Sequence, residues 1–84
     1  MPTAIQQIEI EQAAQSLEIY FSEVSEANKG QKILFANLGC DGLFSRISDN
    51  AVVFTFEVDE DRDFIAEQIY STLVRNEIYG FSIL

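Results

Sequence analysis

The residues with most chemical potential stand together at Glu57-Val58-Asp59-Glu60-Asp61-Arg62-Asp63, five carboxylates in seven positions. Carboxylates at that density can hold a hard cation, cap a helix, or present a negative surface to another protein. A calcium loop of EF-hand type would begin Asp59-x-Asp61-x-Asp63 and then require Gly at its sixth position and Glu at its twelfth. Those positions hold Phe64 and Tyr70, so the pattern fails and no metal site is expected. An acid-rich helix N-terminus and an acidic contact surface remain, and both are compatible with Asp59 or Asp61 as N-cap.

Other catalytic constellations are missing at the level of residue type. The chain has no His, which removes the commonest general base and transition-metal ligand. Its one cysteine, Cys40, is followed by Asp41, whose charge opposes thiolate formation, so a small half-buried side chain is expected there rather than a nucleophile. Gly30, Gly39, Gly42 and Gly80 are too dispersed to cradle a phosphate. A serine nucleophile would have only Lys29 or Lys32 as its base. The expectation is a protein without enzymatic activity and without cofactor; a minor metal-binding or enzymatic role is disfavoured.

A second acidic stretch, Glu9, Glu11, Glu18, Glu23 and Glu26, runs without one basic residue. Apolar residues in this region recur at spacings of three and four: Ile10, Ala13, Ala14, Leu17, Tyr20, Phe21, Val24 and Ala27. That period predicts an amphipathic helix over residues 10–27, with Gly30 near its stop. Residues 3–9 read either as a short strand or as the beginning of the same helix, and the helix is preferred. In that case Ile5, Ile8 and Ile19 form an off-stripe apolar strip, which with Phe81 is a candidate apolar interface.

Ile33 to Leu38 reads as a buried strand, and Gly39-Cys40-Asp41-Gly42 as a turn. Leu43–Ser48 and Ala51–Val58 read as strands joined by a turn at Ser48-Asp49-Asn50, where Asp and Asn tolerate positive φ. A second helix is expected from the acidic run to about Ile78, with Gly80 as its terminator and Ile65, Ala66, Ile69, Tyr70, Leu73 and Val74 as its apolar face. Phe81 to Leu84 could add a fourth strand or pack as a tail. The predicted fold is one α+β domain over residues 1–84: a two-layer sandwich of a three-stranded antiparallel meander and two helices, in the order α-β-β-β-α. With short terminal strands at both ends the order becomes β-α-β-β-α-β, a ferredoxin-like split. The α-β-β-β-α order is similar to that of double-stranded-RNA-binding domains. They need basic residues where this chain has Asp59 to Asp63, so RNA binding is not expected.

Fourteen acidic side chains against five basic ones give a net charge of −9. Such a chain should repel phosphate backbones and anionic membrane surfaces alike, so neither direct nucleic-acid nor membrane binding is expected. A lone cysteine, no basic-apolar leader at Met1-Pro2-Thr3 and no long apolar run point to the cytoplasm. Ten of the 14 acids fall in residues 9–26 and 57–63, with Arg62 the only base among them. The expected function is therefore a small protein-interaction module, a regulator, adaptor or inhibitor, that binds a basic protein surface. Its contact residues would be Glu57, Asp59, Glu60, Asp61, Asp63, Glu11, Glu18 and Glu26, and a homodimer is compatible with the apolar candidates. The alternative is a nucleic-acid mimic that blocks a DNA-binding enzyme, as phage inhibitors of restriction or CRISPR nucleases do.

Overall fold

The computed structural model describes residues 14–84. Alternation of Leu17, Ile19 and Phe21 with Ser16, Glu18 and Tyr20 puts one apolar row on one side of an extended chain, and β1 spans Ala14–Phe21. Helix α1 follows over Val24–Leu38, then β2 (Leu43–Ser48), β3 (Ala51–Glu57), α2 (Arg62–Arg75) and β4 (Phe81–Ile83). The protein is α+β, and its described residues form one four-stranded antiparallel sheet in the order β2-β3-β1-β4 and two helices. Strand β1 separates β3 from β4, and β3 separates β1 from β2. Each helix therefore crosses over a strand that belongs to the other half.

The core lies between the two helices and one sheet face. Leu17 is paired with Phe54 and Ile19 with Val52, so the inward rows of β1 and β3 coincide. Phe44 of β2 stacks on Phe54 at 4.1 Å between ring centroids. From α1 come Ala27, Gly30, Leu34 and Leu38, and from α2 Ile65, Ile69 and Leu73, all buried at helical spacing. The outer sheet face carries Glu18, Tyr20, Val53 and Thr55, all half-buried.

Several sequence expectations are corrected. Residues 14–21 form a strand, where a helix over 10–27 was expected; the three-and-four spacing coincided with a true period of two over Leu17, Ile19 and Phe21. Ile19 is fully buried in the sheet and is not part of an exposed apolar strip. Residues 33–38 are the second half of α1 rather than a strand, because Leu34 and Leu38 continue the stripe of Ala27 and Gly30. Gly30 does not stop a helix. It lies inside α1, where an added Cβ would come within 2.6 Å of the buried Phe21 ring, so it allows the helix to pack on β1. The expected antiparallel sheet with two helices agrees in outline, but its strand order is β2-β3-β1-β4 rather than that of a simple meander.

Helix α2 ends three residues before the expected Ile78. Glu77 takes a left-handed φ of 64°, Ile78 N–H bonds to Leu73 O at 3.0 Å and Glu77 N–H to Val74 O at 3.0 Å. This is a Schellman stop with its apolar lock, since Ile78 and Leu73 are both buried. Gly80 serves a different end, because a Cβ there would meet Ser22 Oγ at 2.2 Å. The turn at Asp49-Asn50 forms as expected but without positive φ; the register shift between Arg46 and Ser48 absorbs the strand twist. The terminal strand at Phe81 is present. Phe81 is half-buried against the core and packs on Tyr70 and Phe21, so it offers less free surface than an interface residue should. Ile5, Ile8, Glu11 and the reading of residues 3–9 lie outside the described residues.

Candidate functional site

The acidic run occupies the connection from β3 to α2, and three features fix it there. Asp61 is the N-cap of α2, its Oδ1 accepting from Asp63 N–H at 3.0 Å and Phe64 N–H at 3.3 Å. The Gln15 side-chain amide reaches across from β1 to the carbonyls of Glu57 (3.1 Å), Val58 (3.3 Å) and Glu60 (2.7 Å). Arg62 turns back over the sheet to donate to Ser16 O and, at 3.3 Å, to Leu84 O. The one cation within the run is thus spent on main-chain oxygens. The carboxylates of Glu57, Asp59, Glu60 and Asp63 stand exposed.

Antiparallel pairing brings further groups to this end of the sheet. Ala14 is opposite Glu57, and Leu43 is opposite Thr55. The turn after α1 delivers Cys40 and Asp41 beside them, with Cys40 exposed rather than half-buried as expected. Together they line an open depression of about 800 Å³ whose walls include Asp41, Glu57 and Asp59 and whose apolar parts include Leu43 and Val58. Leu43 is 64% exposed and Val58 55%. Among the described residues no group of three or more His, Cys, Asp or Glu is arranged to hold a metal ion. The depression sets negative charge from Asp41, Glu57 and Asp59 beside exposed Leu43 and Val58.

Of the other predicted acids, Glu18 and Glu26 lie elsewhere. Glu18 lies in mid-β1 on the outer face, where it accepts a 2.5 Å hydrogen bond from Tyr20 Oη. That bond, with desolvation and the nearby negative charge, raises the Tyr20 pKa above its ordinary 10.0. Glu26 is in the first turn of α1 and accepts from Ser22 Oγ at 3.3 Å. This is at the far end of β1 from Glu57, about 23 Å away at ~3.3 Å per residue. Glu26 and the acidic turn therefore do not share one surface. Asp61 is committed to its cap. Gln15 and Asp41 are the site residues that sequence reasoning missed. Gln15 has no local signal, and Asp41 joins the site only through the β2–β3 pairing.

No helix among the described residues is long and apolar enough to cross a membrane. No protein-family model, curated protein or solved structure matches this chain.

Proposed function

We propose that this protein is a small non-enzymatic interaction module, a regulator, adaptor or inhibitor, that binds a basic protein surface through the β3–α2 end of its sheet. The observation that carries the reading is the fixed acidic turn beside exposed Leu43 and Val58. Exposed ion pairs contribute little one by one, about 0–1 kcal/mol each. A turn whose main chain is fixed by Gln15, by the anchoring of Arg62 on Ser16 and Leu84 and by the Asp61 cap, next to apolar surface, presents its carboxylates at lower ordering cost than a mobile loop would. Glu57, Asp59, Glu60 and Asp63 supply the charge, joined by Asp41. Ferredoxin-like topology supplies the rigid frame.

The nucleic-acid mimic is the weaker reading, because a copy of a duplex backbone calls for a longer continuous row of carboxylates than one sheet end offers. Affinity capture with the intact chain and with a quadruple variant (Glu57→Gln, Asp59→Asn, Glu60→Gln, Asp63→Asn) tests the proposal. The intact chain should retain a protein with a basic surface that the variant retains at least tenfold less, and the interaction should weaken as salt rises. Retention of the same partner by both chains would remove the acidic turn from the interface. Competition between the intact chain and duplex DNA for that partner would favour the mimic instead.

A further inference from the structure

Two of the five basic side chains of this protein border one groove. Arg46 on β2 and Lys32 on α1 border a groove of about 590 Å³ between the helix and the sheet edge, with Phe44 in its wall and Phe35 on its rim. Phe35 is 65% exposed although it sits one turn from the buried Leu34–Leu38 stripe. Arg46 is held in place by Gln31 Oε1 at 3.0 Å, Asp49 O at 2.7 Å and Asn28 Oδ1. Each of these acceptors is an amide or main-chain oxygen. In a chain with 14 acids and five bases, a guanidinium fixed by neutral groups keeps its charge available for an outside anion. Among the described residues, strand β2 is also an edge strand, bonded to β3 alone. Its outer N–H and C=O groups lie directly beside the groove.

From these features we infer that the α1–β2 groove binds an acidic, apolar segment of a partner protein, laid along β2 as an added strand. The strand's main chain would pair with the free edge, and alternate side chains would then point to the helix side of the sheet. There an aromatic or aliphatic side chain fills the space between Phe35 and Phe44, and flanking carboxylates meet Arg46 and Lys32. The surface is opposite in sign to the acidic turn and runs along the edge of the sheet, meeting the acidic depression at Leu43. The carboxylates nearest to it along β2 and its flanking turns are Asp41 and Asp49, beyond the two ends of the strand. At physiological ionic strength charges farther off are screened over a length of about 8 Å, so the local cations dominate. A two-fold contact between copies through the same edge would place the Arg46 and Lys32 side chains of both on one seam, which disfavours a second copy as the occupant.

The test uses the ¹⁵N-labelled full chain and two blocked heptapeptides, one alternating Glu with Phe and Leu, the other identical but with Lys in place of Glu. The acidic peptide should give saturable amide shifts confined to residues 28–35 and 43–48 and should slow exchange of the β2 edge amides. The basic peptide should leave those amides unmoved. Lys32→Gln and Phe35→Ala change exposed side chains and should keep the fold, visible as an unchanged spectrum elsewhere, while weakening the acidic peptide about tenfold. Equal binding of both peptides, shifts centred away from the groove, or no binding at all would overturn the inference. So would protection of the β2 edge amides in the free chain, whether it depends on concentration, which assigns the edge to a second copy, or not, which assigns it to the chain's own first 13 residues.

Discussion

Tyr20 and Glu18 show how a single pair on the outer sheet face couples the fold to pH. The hydrogen bond to Glu18 makes the folded chain hold the Tyr20 proton more tightly than the unfolded chain does. A raised folded-state pKa contributes stability that is present below the unfolded value of 10.0 and is lost as pH rises through and beyond it. Phenolate absorbance should therefore show a tyrosine titrating above 10.0. Glu18→Gln should bring it back toward the ordinary range, and Tyr20→Phe should make the alkaline loss of stability shallower. At Asp61 the carboxylate caps two amide groups, so Asp61→Ala should cost about 1 kcal/mol in denaturant unfolding. A substitution there that weakened partner binding without lowering stability would mean that Asp61 is a contact rather than a cap. The cap was legible in the sequence, because Asp before an apolar 3.6-residue period is a local signal. Gln15 was not, since its three carbonyl partners lie more than forty positions away.

Elements were legible where pattern and turn chemistry agreed. Strand β2 and the body of α2 fall where alternation and helical spacing put them, and β3 differs from its expected span by one residue. The misreading of β1 and α1 came from a region in which both periods fit the same residues, and from a glycine taken as punctuation. Gly30 allows a testable distinction. Ala normally favours a helix interior by about 1 kcal/mol over Gly. Here the new methyl would press on Phe21 Cε2 and Cζ at 2.6 and 2.7 Å in a closed core, so Gly30→Ala should destabilise the protein by about 1–3 kcal/mol. A gain in stability on urea titration would show that α1 does not approach β1 this closely. At the other helix, Glu77 holds a left-handed conformation that suits glycine, so Glu77→Gly should raise stability by roughly 0.5–1 kcal/mol.

For the whole molecule, a net charge of −9 sets a background of self-repulsion that salt relieves. Thermal stability should rise between low and physiological ionic strength. The quadruple neutralisation at Glu57, Asp59, Glu60 and Asp63, which spares the Asp61 cap, should raise it further while weakening partner binding. A variant less stable than the parent would assign these carboxylates a structural role beyond charge. The sequence by itself determined composition and local order: an acidic chain without His, a dense carboxylate run leading into a helix, a tight hairpin at Asp49-Asn50, and an apolar terminal segment. Those properties depend on residue type or on neighbours a few positions apart. Tertiary structure decided which acids share a surface, because strand order alone brings Asp41 to Glu57 and sends Glu26 to the opposite end of β1. It also decided that Arg46 and Lys32 meet across a groove, since the pairing of a helix with a sheet edge depends on contacts between residues far apart in the chain.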